Sequence, residues 1–294
     1  MLVPRFEMHV AESVDDALLM RAKFGDDSCF YCGGTELLLV MKLGLTDLAH
    51  LIDLKQVEEL RTISIDESGL RIGAAVTYRQ LEQNPLLKTE YPEFVEMICN
   101  VANVRVRTSG SLGGNLAFAD PSSDPATFLL AVGGQLEIGS IGGCRRVVAI
   151  DGFYNGPYQP DLKENEMIVS IRIPRDPDRG AIVHQRMKLK ERPNITVAAY
   201  AAASLGRISK MKIAIGSISL VPVSFDEVNQ TLIGTTSATL AKQATLAGKL
   251  ASDSISLFED SNGSLDYKKQ LVCHFVELVA TRTIGIALSR NEQS

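Results

Sequence analysis

Cysteine is scarce, with five residues in 294: Cys29, Cys32, Cys99, Cys144 and Cys273. An odd number at irregular spacing excludes a disulfide framework. Cys29-x-x-Cys32 has no second CxxC to complete a metal site. On a strand, positions three apart point to opposite faces, which opposes chelation. Two buried strand cysteines are therefore expected. Basic clusters are also missing: Lys and Arg are scattered and the net charge is −5, which argues against nucleic acid as a partner. Met1-Leu2-Val3-Pro4-Arg5-Phe6-Glu7 has no apolar core of signal-peptide length, and no apolar run is read as long enough to span a bilayer. A cytoplasmic location with no membrane span is the expectation. Repeats and low-complexity tracts are absent too.

What remains is a chain that is 45% hydrophobic and long enough for two cores. Phe6 to Val10 reads as a strand. Ser13 caps a helix over Val14 to Phe24, with Asp15 and Asp16 suited to its first turn. Ser28 to Cys32 is a strand that runs into Gly33-Gly34, and Glu36 to Leu43 is a helix. His50 to Leu54 is a further strand, and Leu60 to Ile65 with Gly69 to Gly73 form a hairpin. Helices are expected at Tyr78 to Glu82, Pro92 to Ala102 and Ala126 to Val132. The last is capped by Asp124, with Pro125 at its first position. Gln135 to Ile138 and Arg145 to Ile150 form a second hairpin, Gly152 to Glu166 is a loop, and Met167 to Ile173 is a strand.

Composition shifts at Pro174-Arg175-Asp176-Pro177, which places a domain boundary there: residues 1–176 and 177–294. Beyond it come three strands (Val183 to Lys190, Thr196 to Leu205, Lys210 to Ile218). Three helices follow (Ser224 to Ile233, Ala238 to Ser252, Leu265 to Leu288). Strands followed by helices imply an antiparallel sheet with helices on one face.

Two stretches organise this pattern: Phe30-Tyr31-Cys32-Gly33-Gly34-Thr35-Glu36-Leu37 and Thr108-Ser109-Gly110-Ser111-Leu112-Gly113-Gly114-Asn115. Adjacent glycines allow positive φ and close approach of a ligand. Successive amides in such turns can form an anion nest. A strand, a Gly-Gly turn and a helix aim unpaired amides at the turn. Two such loops suggest two backbone arms on one diphosphate. That reading requires the turns to lie together in space. Each loop read alone is equally an ordinary turn.

Cys-Gly-Gly-Thr-Glu-Leu-Leu-Leu-Val-Met-Lys (32–42) resembles the first FAD loop of the medium, flavin-binding subunit of molybdenum hydroxylases, the carbon monoxide dehydrogenase and xanthine dehydrogenase type. Thr108 to Pro125 resembles the second loop. His50 to Leu54, Leu70 to Ala74 and Asn165 to Val169 agree in order and spacing. The resemblance covers nearly the whole chain. It implies an α+β fold: an N-terminal FAD-binding domain of two α/β subdomains, PCMH/VAO-like, then a three-stranded antiparallel sheet with a helical bundle.

It also implies a flavoprotein oxidoreductase subunit of a heteromeric complex. A large subunit would hold the molybdenum cofactor and a small one two [2Fe-2S] clusters. Electrons would pass from the clusters through FAD to NAD or another acceptor. This chain would carry no catalytic side chain and no metal. A stand-alone flavin reductase or oxidase, and a flavin-free assembly subunit, are the alternatives.

For the residues, the resemblance assigns Cys32, Gly33, Gly34, Thr35, Glu36 and Leu37 to the first FAD arm, chiefly through backbone amides. Each favourable anion contact at an exposed helix start contributes roughly 0.3–1 kcal/mol. Ser111, Gly113, Gly114 and Asn115 form the second arm. Asp124 is assigned to the flavin's sugar or ribityl hydroxyls, against its plainer reading as a helix cap. Met167 and Ile168 back the cofactor or serve as core strand. Lys188 is assigned to the ring edge, where a cation favours the reduced ring, or to a solvated face; Lys190 and Arg192 are weaker alternatives. Tyr154, Tyr158 and Tyr200 are open candidates for covering the ring.

Overall fold

Ser13 sets the first helix as its sequence position demands: its hydroxyl accepts from the Asp16 amide at 3.0 Å. The computed structural model describes residues 3–189 and 191–292. In chain order the first elements are β1 (Glu7–Val10), α1 (Val14–Phe24), β2 (Ser28–Tyr31), α2 (Leu37–Lys42) and β3 (His50–Asp53). They make a parallel sheet in the order β1-β3-β2. β2 is therefore an edge strand, and Cys29 on it and Cys32 just past it are half-buried rather than fully buried.

A second layer begins with the hairpin β4 (Ile63–Asp66) and β5 (Gly69–Gly73). It is shorter than expected because Glu58–Arg61 forms a 3-10 turn. Five helices follow: α3 (Tyr78–Gln83), α4 (Pro85–Glu90), α5 (Pro92–Asn100), α6 (Val104–Ser109) and α7 (Leu112–Phe118). After α8 (Asp124–Ala131) come β6 (Gln135–Ser140), β7 (Cys144–Ala149), the short hairpin β8 (Tyr154–Gly156) and β9 (Gln159–Pro160), and β10 (Glu166–Pro174). The five-stranded antiparallel sheet runs β4-β5-β10-β6-β7. Buried almost throughout, β10 is its centre. Its register against β6 shifts between Ile168 and Ser170, a bulge at Val169. The stretch 152–166, expected as a loop, thus carries a small hairpin.

The remaining elements are β11 (Ala181–Met187), β12 (Ile195–Ser204), β13 (Arg207–Gly216), α9 (Asp226–Leu232), α10 (Leu240–Ser254) and α11 (Leu265–Glu292). β11-β12-β13 is an antiparallel sheet, and its β12–β13 turn places Leu205 and Gly206 at φ 53° and 72°. The turn is therefore centred on Leu205-Gly206. Ile195, Val197, Ile213 and Ile215 share one core with Val276, Val279 and Ile284 of α11. α11 is long and apolar enough to cross a membrane by length and composition, which corrects the expectation that no segment is. Half of its apolar window lies inside this core.

By chain contacts the molecule divides into two units: Met1–Ala119 with Gly134–Pro174, and Asp120–Gly133 with Arg175–Ser294. The second unit thus takes α8 from the middle of the first sequence domain. Every residue of α8 is buried, Asp124 and Thr127 included, and the helix packs on β12 and β13. At Gly216 a side chain would strike Thr127 of α8. The cap of α8 is Ser123, whose hydroxyl accepts from the Ala126 amide, and Asp124 is its first residue rather than its cap.

Candidate functional site

The first arm is a strand that ends, a turn, and a helix that starts without help. β2 stops at Tyr31, and Gly34 turns at φ 64°. A Cβ on Gly34 would also lie 2.5 Å from the Tyr31 ring, so conformation and space both require glycine. The Leu38 amide donates to the Gly34 carbonyl at 3.1 Å, but no side chain caps α2. Amides in an uncapped first turn are the ones left for an outside acceptor.

The second arm is more helical than a Gly-Gly loop suggests. Asn103 caps α6 by accepting from the Arg105 and Val106 amides. Ser111 caps α7 by accepting from the Gly114 amide at 3.1 Å. Gly113 and Gly114 are therefore the first turn of a helix, not a hairpin tip. Between α6 and α7 the chain is laced to the segment after β5. The Tyr78 amide donates to the Gly110 carbonyl, Leu112 to Val76 and Gly113 to Ala74, each at 3.0 Å. A Cβ on Gly113 would lie 2.7 Å from both Cα and O of Ala74. Ala74 in turn donates its amide to the Val169 carbonyl at the β10 bulge, at 2.9 Å.

The two arms touch. A Cβ on Gly33 would stand 2.6 Å from the Ser109 carbonyl carbon and 2.8 Å from Gly110 Cα. Backbone lies on backbone there, with no side chain between. The Cys32 thiol points at the Ala75 carbonyl (3.8 Å). Burial raises its pKa, and a hydrogen bond with the Ser111 hydroxyl acts the other way. Cys32, Gly33, Gly34 and Thr35 thus stand beside Ser111 and Gly113, with Ala74–Val76 as a common floor. Asn115 follows one turn into α7, and Glu36 and Leu37 open α2. Met167 and Ile168 are buried on β10 just before the bulge.

Ala74, Ala75 and Val76 are what sequence reasoning missed. They bond both the second arm and Cys32 through main-chain atoms, and their only trace in the sequence is a run of small residues after a strand. A dinucleotide diphosphate fits this chemistry: the uncapped helix start and left-handed glycine of the first arm offer NH groups, and the second arm approaches them with no Cβ in the way. The Glu36 carboxylate is the one acidic group in the first arm. Its charge and, more strongly, partial burial raise the pKa of Tyr158. Tyr158 is exposed, sits at φ 59°, and meets Phe118 at the end of α7 edge-on at 5.2 Å. Tyr154 is half-buried with its hydroxyl inside, and burial raises its pKa.

Asp124 and Lys188 belong to the second unit. Asp124 is buried and accepts from Arg186 Nη1 at 2.6 Å and Thr196 Oγ1 at 2.8 Å. His184 lies 3.7 Å from the same carboxylate, but its Nε2 makes no hydrogen bond. Burial lowers the pKa of His184 to about 4, so the ring is neutral and the contact is no ion pair. Asp124 therefore ties α8 to β11 and β12. Lys188 is exposed just past β11, Lys190 lies outside the described residues, and Arg192 pairs with Asp120. Tyr200 donates to Asp176 at 2.8 Å.

Residues 4–176 match the family described as the FAD binding domain in molybdopterin dehydrogenase. The carbon monoxide dehydrogenase medium chain of Hydrogenophaga pseudoflava is 30% identical over 279 residues, 94% of this chain and 96% of that one. The nicotine 6-hydroxylase medium subunit of Paenarthrobacter nicotinovorans is 28% identical over 92% of this chain and 95% of its own. A solved carbon monoxide dehydrogenase structure from H. pseudoflava superposes with a TM-score of 0.90 at 29% identity, covering 99% of both chains.

Proposed function

The chain belongs to the family of FAD-binding domains of molybdopterin dehydrogenases, and from that premise we propose that it is the electron-transfer subunit of a heteromeric molybdenum hydroxylase. It is a FAD-binding medium subunit of that class. In the proposed assembly a large partner holds the molybdenum cofactor and a small partner holds two [2Fe-2S] clusters. NAD or another acceptor takes the electrons. Bound FAD supplies two-electron storage and one-electron delivery.

This chain's own part is to bind, orient and exclude. Main-chain amides from Gly33–Leu37 hold the diphosphate, and Ser111, Gly113, Gly114 and Asn115 close on it from the second arm, whose amides from Leu112 to Asn115 are already bonded within the chain. Ala74–Val76 fix the spacing between the arms, and Met167 and Ile168 back them with apolar surface. The single observation that carries the reading is the backbone contact of Gly33 with Ser109–Gly110, which puts both arms at one place. The reading rests on residues of the first unit alone.

The test is the purified chain and its complex. Flavin absorption that survives gel filtration, released by acid as FAD, together with co-purification of a molybdenum subunit and an iron–sulfur subunit, is the expected result. Colourless protein that takes up no added FAD would end the proposal. Substrate turnover by the chain alone would replace it with a stand-alone flavoenzyme.

A further inference from the structure

A second group of side chains in the first unit has no part in the FAD reading. Glu7 and His9 lie two apart on β1, and His50 stands opposite Glu7 in the parallel register with β3. Alternation along a strand puts all three on one face. His9 Nε2 and His50 Nδ1 are 3.0 Å apart. Glu7 Oε2 is 3.8 Å from the first and 3.7 Å from the second. A point equidistant from three atoms so spaced lies about 2 Å from each, the length of a Zn–N or Zn–O bond.

The rings are held in place. Phe24, at the end of α1, stacks on both imidazoles, with centroids 4.4 Å from His9 and 4.2 Å from His50. Both imidazoles are partly buried, while Glu7 is exposed and leaves one side open to solvent. Lys23, whose ammonium lies 5.1 Å from the Phe24 centroid, is a positive charge that weakens cation binding here.

We propose that Glu7, His9 and His50 form a three-ligand site for one divalent borderline cation of the zinc type, with water in the fourth position. Two imidazoles and one carboxylate are a donor set that zinc accepts. Binding requires that the nitrogens at the shared contact be unprotonated. The proton of the His–His hydrogen bond therefore moves to the outer nitrogen of the same ring, a tautomer change with no net proton release. The ion would clamp β1 to β3. It is independent of flavin binding.

Co²⁺, as a spectroscopic stand-in for zinc, tests this on the full-length chain without a polyhistidine tag. One equivalent should give the visible absorption of a four-coordinate N/O site, bleached by one equivalent of Zn²⁺. Zn²⁺ should also raise the melting temperature. Glu7→Gln, at an exposed position, should weaken Co²⁺ binding about tenfold or more. A His9→Asn, His50→Asn double variant should abolish the absorption. If that double variant fails to fold, Glu7→Gln decides. No visible absorption, an absorption unchanged in Glu7→Gln, or a near-ultraviolet thiolate charge-transfer signal from the cysteines would overturn the site.

Discussion

Replacing Gly33 by alanine probes the contact on which the FAD site depends. Gly33 is absent from the positive-φ positions, so alanine meets no backbone strain there. The cost is steric: the new Cβ would sit 2.6 Å from the Ser109 carbonyl carbon and 2.8 Å from Gly110 Cα. Carbon atoms pack best at roughly 3.5–4.0 Å, so the arms must part by about 1 Å. Both obstacles are backbone and cannot rotate away. Overpacking of this kind costs about 1–3 kcal/mol. If the two arms grip one diphosphate, most of that cost falls on the bound state. FAD affinity should then fall by about five- to 100-fold, at 1.4 kcal/mol per factor of ten. Flavin fluorescence titration of the apoprotein measures it. Gly44→Ala is the control: Gly44, unlike Gly33, has φ 71°, and nothing lies near its added Cβ. It should lose about 1–2 kcal/mol of stability through its backbone alone and bind FAD normally. A Gly33→Ala protein that binds FAD within twofold of the parent would refute the two-arm grip.

Gly113→Ala gives a different outcome, because its Cβ would strike Ala74 rather than the facing arm. It should destabilise apo and flavin-loaded protein alike, by about 1–3 kcal/mol, read as equal falls in melting temperature. A loss confined to flavin affinity would show that Gly113 serves the ligand and not the floor. In the second unit, His184 is neutral with its pKa lowered to about 4 by burial, against 6.5 when unfolded. Between those values the unfolded chain binds the extra proton, so stability falls as pH drops from 6.5 to 4. The slope is up to about 1.4 kcal/mol per pH unit. His184→Gln should remove that component, and urea melts at pH 7 and 5 compare them. An unchanged pH dependence would mean that His184 is already charged in the folded state.

Much of the fold was readable where local chemistry and tertiary structure agree. Ser13, Asp15 and Asp16 mark α1, Met167 to Ile173 marks the central strand, and the strands-then-helices order marks the C-terminal sheet and bundle. Disagreement came where tertiary contacts overrode local preference. Glycine costs about 1 kcal/mol in a helix, so Gly113-Gly114 reads as a turn. The Ser111 cap and the bonds to Ala74 and Val76 make it helix instead. Pro125 draws the eye to Asp124 as a cap, but Ser123 does that work, and Asp124 is spent on Arg186 and Thr196. α8 is buried on every side, so no exposed face marks where it belongs, and its place in the second unit is invisible in the sequence. The Glu7–His9–His50 group was hidden for another reason: parallel register joins residues 41 apart, and no local pattern reports it.

The glycines of the two arms carry a further lesson about what such a motif can prove. Gly34 is required by its φ and by the Tyr31 ring, Gly33 by Ser109, and Gly113 by Ala74. Each has a reason within the chain, so glycine content alone does not argue for a ligand. The argument lies in what these contacts leave unsatisfied. α2 begins without a side-chain cap, whereas α1, α6 and α7 all have one. α5 lacks a side-chain cap as well, so what singles out α2 is a bare start that lies beside a backbone-on-backbone contact, where its amides face an acceptor from outside. Supplying that acceptor from within is therefore the most discriminating change available at this site. Thr35→Asp would place a second carboxylate at the bare helix start, beside Glu36, stabilising the apoprotein by roughly 0.3–1 kcal/mol while competing with the diphosphate. Stability gained as flavin affinity is lost would separate a ligand site from a mere turn.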